Sequence, residues 1–138
     1  MTDGGGRSDG ADRGRLTWRI DRERLLLTVV CRGAVTDGDL LSSIPRIWHE
    51  YPEVIECHVM VDARELTGDG GWSWSALREV ARRWREFACG RDRGRRTAIV
   101  TVDNWVATLA SIFAMDYRGR RTRFFRDPAD AHDWILRP

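Results

Sequence analysis

The sequence predicts an α/β fold built on a single mixed, mostly parallel sheet with crossover helices, in the order β-β-α-β-α-β-α-β-α. Three observations predict it. Short apolar, β-branched runs alternate with stretches whose apolar residues recur at helical spacing. The first two runs are separated by a four-residue polar turn, which suits a hairpin and adds one antiparallel strand. Each helical stretch opens on a side chain able to cap it. With 138 residues the chain amounts to one domain, expected over residues 15–138.

Residues 1–14 hold five glycines, several charges and almost nothing apolar, and are expected to form a disordered tail. Leu16, Trp18 and Ile20 then alternate with polar residues, as in a half-buried strand. Residues 21–24 are polar and turn the chain. Residues 25–31 are nearly all apolar, with Thr28, Val29 and Val30 β-branched, and predict a buried strand. Thr36 followed by Asp39 has the spacing of a capping box. Leu40, Ile44, Ile47, Trp48 and Tyr51 follow at helical spacing, and Pro45 is expected to kink or split that helix. The Tyr51–Pro52 step ends it.

Cys57, Val59 and Val61 alternate with His58, Met60 and Asp62 to give a third strand, and residues 65–71 read as a loop. Ser73 or Ser75 caps the clearest helix, with Trp74, Leu77, Val80, Ala81, Trp84, Phe87 and Ala88 on one apolar stripe. Glu79 with Arg83, and Arg82 with Glu86, are opposite charges four apart on its other face. Residues 90–96 form a basic turn before a strand over 97–102. Asp103 or Asn104 caps a helix to about Met115, a second basic turn covers 118–121, and a short strand spans 123–126. Asp127 caps the last helix, with Pro128 at its first position and Trp134 and Ile135 as anchors.

Composition excludes more than it assigns. No apolar run nears the roughly 20 residues of a membrane span, and residues 1–14 lack the apolar stretch of a secretory signal, so a cytoplasmic location is expected. Cys31, Cys57 and Cys89 are odd in number, widely spaced and without a C-x-x-C, which argues against disulfides and zinc. His49, His58 and His132 fall on three elements with no metal-ligand spacing, and there is no G-x-S-x-G elbow. Asp62 and Asp103 could pair as carboxylates, but each suits a strand-end cap equally well. No metal, cofactor or catalytic residue is therefore expected, and the chain does not read as an enzyme. A net charge of +2, from 23 basic and 21 acidic side chains, does not point to nucleic acid.

Three stretches resemble a known group: VMVDARELTG (59–68), TAIVTVDNWVATLASIFAM (97–115) and TRFFRDPADAHDWIL (122–136). With the element order they resemble the STAS-like domains, the fold of the bacterial anti-sigma-factor antagonists, in their small stand-alone STAS/SEC14-like branch. The resemblance implies a non-catalytic module acting by protein–protein interaction in bacterial regulation. In antagonists of that kind a serine at the start of the second crossover helix is phosphorylated within a D-S-S-G-like motif. The corresponding stretch here, GDGGWSWSAL (68–77), lacks the pattern, and its serine reads as a helix cap.

Two surfaces could bind. In open α/β sheets ligands sit beyond the carboxyl ends of the parallel strands, where helix N-termini gather. The residues expected there are Asp62, Arg64, Trp72, Ser73, Trp74, Ser75, Asp103, Asn104 and Trp105. Arg64 would supply a guanidinium fork and the tryptophans flat apolar walls for a small amphipathic or lipid-like ligand, the alternative to a protein partner. The helix over 104–115 carries no charge at all, which suits a homodimer interface through Trp105, Leu109, Ile112 and Phe113. The arginine turns are expected at the opposite, amino-terminal edge as solvated surface.

Overall fold

The computed structural model describes residues 15–67, 73–102, 104, 108 and 120–138. The hairpin comes first. β1 (Arg15–Asp21) pairs antiparallel with β2 (Leu26–Gly33), with Arg19 opposite Thr28. β3 (His58–Leu66), β4 (Arg96–Val100) and β5 (Arg121–Phe125) add in turn, each parallel to its predecessor, giving the sheet order β1-β2-β3-β4-β5. Val59 of β3 lies beside Leu27 on one side and Thr97 on the other.

Two helices cover one face. They are α1 (Asp37–Glu50) and α2 (Trp74–Ala88), which join β2 to β3 and β3 to β4. Leu16, Trp18, Leu27, Val29, Ile47, Trp48 and Trp84 are among the core between them and the sheet. The alternate residues Leu26, Met60, Ala98 and Val100 face the other way, where α3 (Pro128–Leu136) packs Ala131, Trp134 and Ile135 onto them. The period-two alternation of a strand thus serves two cores.

The local signals hold at the helix starts. Thr36 and Asp39 form the reciprocal capping box, Ser73 rather than Ser75 caps α2, and Asp127 caps α3. Glu79 pairs with Arg83 and Arg82 with Glu86. The expected split at Pro45 does not occur, because α1 runs through it with Pro45 buried. The proline removes the donor that would bond the Leu41 carbonyl four residues back. Arg83 of α2 donates to that same Leu41 carbonyl at 3.3 Å, while its Nε is held by Glu79 at 2.8 Å. The vacancy in α1 is filled by a guanidinium from its neighbour.

Other boundaries moved. β3 runs to Leu66 instead of stopping near Asp62, through an irregularity in which Val30 faces Asp62 but Arg32 faces Glu65. A 3-10 turn over Pro52–Glu56, unmarked in the hydrophobic pattern, buries Val54 and Ile55. β5 starts two residues before the expected strand and ends one before it. The expected helix over 104–115 lies outside the described residues except for Asn104 and Thr108, whose hydroxyl donates to the Asn104 carbonyl at 2.9 Å.

His58 opens β3, and its Nδ1 accepts the Arg96 backbone N–H at 3.0 Å. That bond needs the neutral imidazole. Burial lowers the His58 pKa, and Arg95, Arg120 and Arg96 lower it further. A histidine with a depressed folded pKa leaves stability intact above its unfolded value, about 6.5, and removes it as pH falls below that value. Denaturant midpoints are therefore expected to drop between about pH 7 and pH 5, and His58→Asn is expected to flatten that slope. A slope unchanged in the variant would assign it to another group.

Candidate functional site

The helix starts gather on one rim, beyond the carboxyl ends of β2, β3 and β5. Asp37 Oδ1 accepts the Ser73 backbone N–H at 2.8 Å, which ties the start of α1 to the start of α2. Ser73, Trp74 and Ser75 border a groove of about 560 Å³ with Asp37, Arg78 and Arg82. Arg78 lies 5.8 Å from the centre of the Trp74 ring.

Asp62 and Arg64 do not join that groove. Val61 and Ala63 belong to the core beneath α1 and α2, so Asp62 alternates onto the other face. There Asp62 accepts Arg64 Nε at 3.0 Å, Arg64 Nη2 at 2.8 Å and the Arg64 backbone N–H at 3.1 Å. These bonds hold the Asp62 carboxyl below the usual carboxylate range against a smaller opposing effect of burial. Arg126 donates to Asn104 Oδ1 at 3.1 Å. The expected residues thus divide between two faces of the sheet. Trp72, Asp103 and Trp105 lie outside the described residues, as do Leu109, Ile112 and Phe113 of the expected dimer interface.

The apolar hollow sits in the other half of the fold. A cavity of about 140 Å³ lies between α1, α2 and the sheet, beside the amino-terminal halves of β2, β3 and β4. Leu27, Val29, Ile47, Trp48, Val61 and Trp84 are among its walls, and Thr97 and Arg120 are its polar edge.

Arg120 belongs to the run expected to be solvated, yet it is only 6% exposed. It donates to the Cys57 carbonyl, its guanidinium lies 5.3 Å from the Trp84 ring centre, and it pairs at 3.7 Å with Asp92. Asp92, 2% exposed, also accepts the Trp84 indole N–H. It reaches that position because Cys89 and Gly90 take left-handed φ values of 50° and 81° and turn the chain back after α2. Sequence reading missed this group. The available signal was Asp92 itself, a single acid inside the arginine run RDRGRR.

The buried thiols offer no nucleophile. Burial, with a contribution from Asp62, pushes Cys31 up to about 12, and burial also raises Cys57. Among the described residues no group of three or more His, Cys, Asp or Glu side chains converges as metal ligands would, and no helix is long and apolar enough to cross a membrane.

No family model and no curated protein matches the chain. Among solved structures it is similar to an uncharacterised protein of the DUF3478 family from Shewanella loihica PV-4, described as having a SpoIIAA-like fold. The two share 21% identity with a TM-score of 0.56, over 94% of this chain and 99% of that one. The five-stranded mixed sheet with its helices is the SpoIIAA-like, STAS-like fold that the resemblance implied.

Proposed function

We propose that this chain is a non-catalytic regulatory binding module: a small apolar ligand occupies the hollow between α1, α2 and the sheet, and a protein partner reads the surface of those two helices. One observation carries the ligand reading. The walls of the 140 Å³ cavity are almost wholly apolar, and the one cation among them is already partnered. An apolar cavity of similar size, about 150 Å³, stays dry and admits benzene. The fold supports a regulatory rather than a chemical role, and the tie between Asp37 and Ser73 gives a ligand beneath the helices a route to their exposed starts.

The test is extraction of the purified protein with organic solvent, followed by mass spectrometry. Wild-type protein is expected to yield a small apolar molecule. Ala81→Leu, which adds carbon to a cavity-lining position of α2, is expected to yield none. Identical extracts from the two proteins would remove the support for a ligand in this hollow.

A further inference from the structure

We infer that β1 is a self-pairing edge: two copies of this chain join antiparallel along Arg15–Asp21, about a two-fold axis at Trp18, into one continuous sheet. This goes beyond the cavity reading and does not depend on it.

Among the described residues β1 has a strand on one side only, β2. The hydrogen bonds of the sheet fix which of its main-chain groups point away from β2. The His58 N–H donates to the Leu25 carbonyl at 2.7 Å, so Leu25 and, two residues on, Leu27 turn main-chain groups toward β3. Leu26, Thr28, Val30 and Arg32 therefore turn theirs toward β1, where they meet Asp21, Arg19, Thr17 and Arg15. The alternate residues of β1, Leu16, Trp18 and Ile20, direct their N–H and C=O groups outward, while their side chains are buried in the core.

Those three residues choose the register. In an antiparallel pair, facing residues exchange both bonds where both direct their groups at each other. Setting Trp18 opposite Trp18 of the second copy uses all three, because Leu16 then meets Ile20 and Ile20 meets Leu16. The same register places Arg15 opposite Asp21 of the second copy, twice by symmetry, and Arg19 opposite Thr17. These are the non-hydrogen-bonded positions, where facing side chains approach most closely. Within its own chain Arg15 faces Arg32, a like charge that Glu65 already holds at 3.4 Å. Asp21 is loosely paired, with the exposed Arg24 at 3.5 Å. A second copy gives each an opposite charge directly across the strand. The far edge of the sheet does not suit this use. β5 has five residues to the seven of β1, and pairing it about its centre sets Arg123 against Arg123. Short, charged edges resist pairing, whereas β1 has no proline, no glycine and no break in its register with β2.

The test is amide hydrogen exchange by NMR on the full chain, alongside sedimentation, across a series from low to high micromolar protein. A dimer is expected at the high end, with the Leu16, Trp18 and Ile20 amides protected in it and open in the monomer. Thr17 and Arg19, bonded to β2 in both states, are expected to stay protected throughout. Asp21→Arg and Arg15→Asp each set like charges opposite one another and are expected to weaken the dimer about tenfold. Mixed together, the two variants put arginine opposite aspartate at both ends and are expected to pair with each other at wild-type strength. A monomer at every concentration overturns the inference. So does a dimer whose Leu16, Trp18 and Ile20 amides exchange freely, which would put the interface elsewhere. Protection of those amides in the monomer would assign the edge to residues 1–14 of the same chain and overturn it too. Unchanged association by both folded variants overturns the register. The wild-type exchange pattern decides even where a variant loosens the turn that Asp21 closes onto the Arg24 N–H.

Discussion

Asp92→Ala is expected to destabilise the protein by about 3–5 kcal/mol, the usual cost of removing one member of a buried ion pair. The expectation follows from burial, not from the mere presence of an ion pair. Exposed pairs such as Arg22 with Glu53 contribute little, because water screens both members. Arg120 and Asp92 have side chains only 4% and 3% exposed, so neither charge has water to fall back on. Removing the carboxylate takes the counter-charge 3.7 Å from the Arg120 guanidinium and leaves the Trp84 indole N–H without its acceptor. Urea denaturation followed by circular dichroism measures the loss. Replacing the pair together, as Asp92→Leu with Arg120→Met, is expected to recover most of it, since a well-packed apolar pair often matches a buried ionic one. A single variant that loses less than about 1 kcal/mol would show that solvent reaches the pair.

That contrast also explains what the sequence made legible. Caps are encoded within three or four residues, so Thr36 with Asp39 and Asp127 at the start of α3 were readable from spacing alone, and the α2 cap was narrowed to Ser73 or Ser75, of which Ser73 accepts from Ala76. The mostly parallel sheet with one antiparallel strand followed from alternating elements and the short first turn, whereas the order β1-β2-β3-β4-β5 is visible only in the structure. Pairings across the fold were not readable. The carbonyl left free by Pro45 is filled by an arginine 42 residues away, and Arg120 reaches a carbonyl 63 residues away. Both appear in the sequence as ordinary surface arginines. The expected binding residues suffered for a related reason. Asp62 and Ser73 share a rim, but the alternation of β3 turns Asp62 to the α3 face while Ser73 caps a helix on the opposite one. Position along the chain gave the rim, and side-chain direction decided the face.

Trp134→Ala is expected to cost about 3–5 kcal/mol, the usual range for deleting a buried tryptophan. Its effect is expected to spare ligand binding. Trp134 is 5% exposed and packs in the core that α3 shares with Leu26, Met60, Ala98 and Val100. Phe125 lies against it at 5.6 Å, and the guanidinium groups of Arg96 and Arg123 sit 5.6 Å and 5.4 Å from its ring centre. Arg96 also donates to the Trp134 carbonyl at 2.6 Å and to the Arg137 carbonyl at 2.7 Å, closing the end of α3 onto β4. Alanine removes the ring that these groups surround while leaving Ala131 and Ile135 too small a face to hold the helix down. Trp134→Phe keeps an apolar ring and is expected to retain most of the stability, as measured by the same urea titration. The cavity lies across the sheet, lined by residues of the other core. Folded Trp134→Ala protein is therefore expected to bind toluene with wild-type affinity. A variant that loses toluene binding while still folded would show that the two faces of the sheet are coupled, and that α3 helps to shape the hollow from behind.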